Sequence, residues 1–499
     1  MSFSKYWHAL STKVFSEKGS EFLAFDMLYQ LSYMSATASA GISRPKIFEF
    51  ACQLPCYTSS YFKEVQTMAE KLRMDYSQAC RTVGEVAREG AISGFLLRWS
   101  ASMGAGELEA DFLAQEAKLC AQAFENVYEG QVNSMRMWTE AYAAIIISAA
   151  LMVMVSSISM LIYPVATGMT IGVMGLTIAT AIIGAWAIWK VAPKEIAYHV
   201  SSPFCRELRR ARRLERIMLP AAVIAFVGIL AAGGGLGLAL VAGSALLLPI
   251  GVAGITYDRQ VSKKDADIAT LIRTTGNIAS AVGITTSLAL TKLDLRATSS
   301  LAQHVKDLQG RISARLKPDM CWHRFSLETG SETVFRSVKM FQDATRLGGE
   351  PDEVAGRSCL LATSINFLRA KRSQVSASFT MLALGMHVAI IGLLLFVVEV
   401  IMAFAAAAAG SYGEATEGVE AQALSVFSLN FQTLAILNYL TLPTVIVLSV
   451  TVAFAVKAAG GGSKYTFYTY LGITLGATGI GMIAIPALAG TIFAPITNF

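Results

Sequence analysis

Charge is scarce in this 499-residue chain: 15% of residues are charged against 54% hydrophobic. A soluble enzyme carries about 25% charged residues, and here the apolar residues also come in blocks, so the composition is that of an integral membrane protein. Cysteine is sparse. Cys52, Cys56, Cys80, Cys120, Cys205, Cys321 and Cys359 all fall in stretches expected inside the cell, where thiols stay reduced, so no structural disulfide is expected. Cys52 and Cys56 could share a helix face, but no second Cys or His pair stands nearby at metal-site spacing. Neither a metal nor a cofactor is expected. The first residues are polar and mixed in charge (Ser4, Lys5, Lys13, Glu17, Lys18, Glu21), without the apolar run of a signal peptide. A phosphate-binding loop of the form Gly-x-x-x-x-Gly-Lys-Ser/Thr is also missing. In Gly460-Gly461-Gly462-Ser463-Lys464 the serine precedes the lysine and no strand leads in, so the segment reads as a turn with a basic anchor. With no catalytic apparatus in sight, the chain is not expected to be an enzyme.

What is present is a set of long apolar runs. Tyr142 to Tyr163 and Ala166 to Val191, separated by Pro164, each reach the ~20 residues that a helix needs to cross a bilayer. Met218 to Ile255 is longer, and Gly233, Gly234 and Gly235 break it into a hairpin of two short helices. Phe379 to Ala409, Leu434 to Val456 and Phe467 to Phe493 complete seven spans. Gly168 with Gly172, Gly233 with Gly237, and Gly472 with Gly476 would let helix backbones approach closely. Lys and Arg cluster in the segments placed inside the cell, including Lys457 and Lys464. Gly410 to Asn430 carries Glu414, Glu417 and Glu420 and no basic residue, so the N-terminus is expected inside the cytoplasmic membrane and the C-terminus outside. The stretches before the first span and between the fourth and fifth are both basic. They should share one side, which requires an even number of crossings between them.

Those two soluble stretches, Ser20 to Glu140 and Asp265 to Ser378, space their apolar residues at three and four, as helical bundles do. They also repeat local text at an offset of about 240 residues, the mark of a duplicated unit. Ala38-Ser39-Ala40-Gly41-Ile42-Ser43 answers Ala279-Ser280-Ala281-Val282-Gly283-Ile284-Thr285, with Asn277 and Thr285 expected to cap or turn. Gly90 follows the pair Arg81 and Glu85; Gly330 follows Arg324 and Glu328. Met103-Gly104-Ala105-Gly106-Glu107 answers Leu347-Gly348-Gly349-Glu350. The expected fold class is an all-α integral membrane protein with two duplicated cytoplasmic helical-bundle domains plus about seven transmembrane helices. Its segments are 1–141 with the first bundle, a hairpin at 142–191, a basic cytoplasmic loop at 192–217, a hairpin at 218–256, the second bundle at 257–378, and three spans in 379–499.

This pattern resembles the type II secretion F domain, a helical bundle that occurs twice in the platform proteins of type IV pilus-like machines. The residues that carry the resemblance are Gly106-Glu107 and Gly349-Glu350, each between helices. The second copy matches better: Cys321-Trp322-His323-Arg324-Phe325, Glu328-Thr329-Gly330-Ser331-Glu332 and Arg346-Leu347-Gly348-Gly349-Glu350-Pro351 resemble archaeal platforms of archaella and adhesive pili, while the extra spans point to the archaeal or tight-adherence branch. The resemblance implies a membrane platform that binds a cytoplasmic hexameric secretion ATPase and lifts pilin-like or archaellin subunits from the lipid bilayer into a filament, hydrolysing nothing itself. A homodimer and no nucleic acid are the associated expectations. The alternatives are a membrane transporter or a membrane-bound signalling scaffold.

Three groups of residues are candidates for function. Arg206, Arg209, Arg210, Arg212, Arg213 and Arg216, interleaved with Glu207 and Glu215, would serve as a headgroup anchor or dock an acidic patch on the ATPase. Gly104, Gly106, Glu107, Gly348, Gly349 and Glu350 are expected to shape turns, the carboxylates lying near helix starts. His387 and Glu399 are ionisable groups inside the fifth span. Twelve residues of helix put them about 18 Å apart, too far to pair. Glu399 either reaches the interface or faces a groove that takes a subunit's charged head or N-terminal ammonium.

Overall fold

The computed structural model describes residues 22–162, 167–198, 205–414 and 431–497. Ser4, Lys5, Lys13, Glu17, Lys18, Glu21, Pro164, Glu417 and Glu420 lie outside the described residues. The described chain is helical, and seven of its helices are long and apolar enough to cross a membrane. It divides into two compact units, one formed by Met1–Gly130, Pro193–Arg206 and Arg259–Ala370, the other by Gln131–Ala192, Glu207–Asp258 and Lys371–Phe499.

The first unit contains two successions of helices. One runs α1 (Leu23–Ala38), α2 (Arg44–Cys52), α3 (Ser59–Lys71), α4 (Tyr76–Val86), α5 (Gly90–Ala105) and the start of α6 (Glu109–Ile162). After α7 (Thr167–Val191) and α8 (Arg206–Ala231), the other takes the end of α9 (Leu236–Val282), α10 (Thr286–Ala289), α11 (Ala302–Ser313), α12 (Pro318–Thr329), α13 (Glu332–Arg346) and the start of α14 (Pro351–Glu414). Local chemistry starts these helices where the sequence allows. Asp75 accepts from the Ser77 amide, Thr285 from Leu288 and Ser331 from Val334, while Pro318 opens α12 with a φ already suited to a helix.

The two successions keep one register. α2, α4, α5 and α6 begin at 44, 76, 90 and 109, and α10, α12, α13 and α14 at 286, 318, 332 and 351, so each start minus its predecessor gives 242. Positive φ recurs at the same offset, at Gly41 and Gly283, at Gly106 and Gly348, and at two non-glycine residues, Arg73 and Arg315. Buried positions recur as well. Ala79, Cys80 and Val83 correspond to Cys321, Trp322 and Phe325, and Ile92, Leu96 and Trp99 to Val334, Val338 and Phe341. In this register Glu107 stands opposite Gly349, and Glu350 opposite Leu108, one step from the pairing that matching letters suggest. Gly90 opens α5 whereas Gly330 closes α12, two steps out. Backbone demand explains the difference: the left-handed residue ending a helix recurs, and the glutamate beside it does not. Thr285 is a cap as expected, but Asn277 lies inside α9.

Buried charge joins the two successions. Arg336, 2% exposed, donates to Asp26 (3.0 Å) and Glu332 (2.8 Å), its guanidinium 4.6 Å from the ring centres of Phe25 and Tyr29. Tyr33 donates to Asp343 at 2.8 Å, and Arg357 to the Ser35 carbonyl at 2.8 Å. Arg369 binds both Glu195 and the fully buried Asp265, which also accepts from the Ser331 hydroxyl.

The second unit holds the apolar parts of α6, α7, α8, α9 and α14 with α15 (Phe431–Gly460) and α16 (Thr466–Thr497). Tyr142, Ile146, Ala181, Ala185, Ala383, Leu394, Leu448 and Val452 share one core. The apolar part of α9 lies backbone to backbone against α16. A Cβ on Gly251 would stand 2.4 Å from the Thr469 nitrogen, and one on Gly254 would stand 2.8 Å from the Tyr465 carbonyl carbon. Gly472 and Gly476 face Leu248 and Ser244 in the same seam, as small residues in membrane helices do. Gly237 joins that seam against Gly479, whereas Gly233 is a left-handed turn residue and Gly168 and Gly172 face open space.

Candidate functional site

α8 opens with six arginines, Arg206 closing a segment of the first unit and the other five belonging to the second. Arg206, Arg209, Arg210, Arg212, Arg213 and Arg216 are all exposed, while Ala211 is buried against Ile250 and Tyr465 and Leu208, Leu214 and Met218 pack beside it. This is amphipathic spacing carried into a charged turn. None of the six makes an ion pair with a described residue; Glu215 is instead engaged by Lys464 at 3.0 Å and by the Tyr468 hydroxyl at 3.2 Å. Beyond Arg216 the helix exposes Ile217, Val223, Ile224 and Val227, an apolar surface suited to lipid.

Beside it lies the α15–α16 turn. Gly461 and Gly462 have φ of 71° and 75°, which a side chain would strain. Lys457 donates to the Gly461 and Gly462 carbonyls, the Asp258 carboxylate accepts from the Ser463 amide at 3.0 Å and the Thr466 hydroxyl at 2.6 Å, and Arg372 donates to the Ala459 carbonyl at 3.0 Å. The segment is a helix-to-helix turn whose polar groups are engaged by the chain, with Lys464 as its basic projection.

Towards the middle of α14, His387 is buried. Its Nε2 lies 3.2 Å from the Thr474 carbonyl and 3.3 Å from the Thr478 hydroxyl, which lies 2.8 Å from the Ser449 hydroxyl. The imidazole thus ties α14 to α15 and α16 by hydrogen bonds that hydrocarbon could not replace. Glu399 is separate from this cluster. It borders a cavity of about 380 Å³ at the opposite end from the arginines, formed with Gly235, the first residues of α9 (Leu236, Gly237 and Leu238), Leu395, Leu442 and Pro486.

The glycine-glutamate elements lie at helix ends. Gly106 and Gly348 take the left-handed conformation after α5 and α13, and the Glu107 carboxylate accepts from the Ser102 hydroxyl at 2.6 Å. Gly349 is wedged against Val354 and the Ala344 carbonyl, and the Glu350 carbonyl accepts from the Val354 amide at 2.9 Å. Gly104 faces open space inside α5. The sequence gives no sign of the pairs Asp26–Arg336 and Asp265–Arg369, whose members are 310 and 104 residues apart. All seven cysteines are free thiols; Cys52 ends α2 and Cys56 lies in the turn beyond it, so they do not share a helix. Burial pushes the Cys56 thiol up to about 11.

No family model, curated protein or solved structure matches the chain.

Proposed function

We propose that the chain is a platform of a type IV filament or related secretion machine, with duplicated helical modules that receive force from a cytoplasmic hexameric ATPase and a membrane part that handles pilin-like subunits. The observation that carries this reading is the register of 242 shared by helix starts, left-handed residues and buried positions. Independent helical stretches have no reason to repeat a left-handed arginine at the same offset, since that conformation costs a non-glycine residue of order 1 kcal/mol. Membership of both modules in one compact unit supports their lying on one side of a bilayer, with four apolar helices between them. The basic turn of α8 and Lys464 support a cytoplasmic position for that end, since positive residues stay inside. On this reading the N-terminus is cytoplasmic and the C-terminus outside.

The unpaired arginines are the docking element for an acidic face of the motor. Co-purification from detergent-solubilised membranes tests this: wild type brings a hexameric ATPase with it, and reversing Arg209, Arg212 and Arg216 to Glu lowers the recovered ATPase at least several-fold at unchanged membrane abundance. Equal recovery with the reversed variant would remove the docking role, and absence of an ATPase from wild type would remove the platform reading.

A further inference from the structure

We propose that residues 193–198, the described part of the connection from α7 to α8, are a releasable strap that closes over the start of α13 and is held there by Glu195. The chain leaves α7 at Val191 and enters α8 at Arg206, and in between it belongs to the first unit. Tyr198 pairs with Ser331 in an antiparallel bridge, and the Ala197 carbonyl accepts from the Glu332 amide at 3.3 Å. The Glu195 carboxylate accepts from Arg369 at 2.9 Å and lies 3.5 Å from the Tyr128 hydroxyl, with its side chain only 12% exposed. A backbone bridge and a half-buried ion pair thus fasten one short non-helical stretch to the second module.

The contacts also make the strap separable from what it closes. Arg369 serves two carboxylates, and the second, Asp265, is fully buried and belongs to α9. When Glu195 withdraws, the guanidinium keeps Asp265 as its counter-charge, so no buried ion is stranded, which is the usual cost of breaking such a pair. The Glu332 amide lies in the first turn of α13, where N–H groups have no partner within the helix and water can replace the Ala197 carbonyl. The cap of that helix does not involve the strap, since the Ser331 hydroxyl accepts from the Val334 amide at 3.1 Å. The register of 242 points the same way. Arg369 and Asp265 correspond to Val127 and Leu23, so the first module completes the same succession of helices without this ion site. Closed, the strap passes a displacement of α13 along the chain towards the arginines of α8; open, it disconnects them.

The test is hydrogen exchange of the full chain in detergent micelles at neutral pH, resolved at the Glu332 amide by electron-transfer fragmentation. Glu195→Ala is expected to speed exchange at that amide about ten-fold or more, the weight of one charge-assisted hydrogen bond, while the amides of α13 from Phe335 onwards exchange as in wild type. Unchanged exchange at Glu332 would show that Glu195 does not hold the segment. Exchange that rises equally along the whole of α13 would show that the segment is a fixed part of the module. Either result overturns the proposal, and neither depends on whether an ATPase co-purifies.

Discussion

At the scale of single residues, the strongest electrostatic commitments are buried in the first unit. Asp265 is fully buried, and that burial pushes its carboxyl up to about 6 although Arg369 and the Ser331 hydroxyl pull it down. The folded chain therefore holds this proton more tightly than the unfolded chain. Its contribution to stability is complete below the ordinary carboxylate value and is lost as pH rises through about 6. Asp265→Asn cannot titrate, so the melting-temperature advantage of wild type over this variant should be greatest near pH 4 and shrink by pH 7. A gap that stays constant over that range would contradict the assignment. Arg336 is committed in the same way, since removing it would leave Asp26 and Glu332 buried without a cation. Such pairs are invisible in sequence, because nothing local marks a partner 310 positions away.

At the scale of elements, periodicity and glycine placement carried most of the fold. The seven apolar helices match the seven runs read from composition, and the Gly233–Gly235 break separates α8 from α9 where the hairpin was expected. The closest seam, between α9 and α16, was only half legible: Gly472 and Gly476 stood out by their spacing, but Gly251 and Gly254 carry the tightest contacts and follow a GxxG spacing with no distinctive text. Gly254→Val places new atoms against the backbone of Tyr465 and Thr466, which cannot rotate away. It should cost about 1–3 kcal/mol or more, read as a lower melting temperature in detergent, while Gly172→Ala, in open space, should change little. Equal tolerance of the two changes would disprove the seam. The glycine-glutamate elements lie between helices, and their matching letters stand one residue out of the 242 offset, because the αL requirement fixes the glycine and leaves its neighbour free.

At the scale of the whole molecule, composition sufficed to mark seven helices long and apolar enough to cross a membrane, and internal similarity sufficed to suggest a repeat. Neither could supply the cavity beside Glu399 or the exposure of the six arginines, since both depend on which helix faces are covered. Two equivalent modules on one side of the bilayer are what a cytoplasmic motor would need to push on both. Cysteines introduced at Lys71 and Ser313, exposed ends of α3 and α11, test this directly in intact cells and in permeabilised ones, with a membrane-impermeant maleimide and site-resolved mass spectrometry. Both sites should be protected in intact cells and labelled together after permeabilisation; labelling of one and not the other in intact cells would contradict the account.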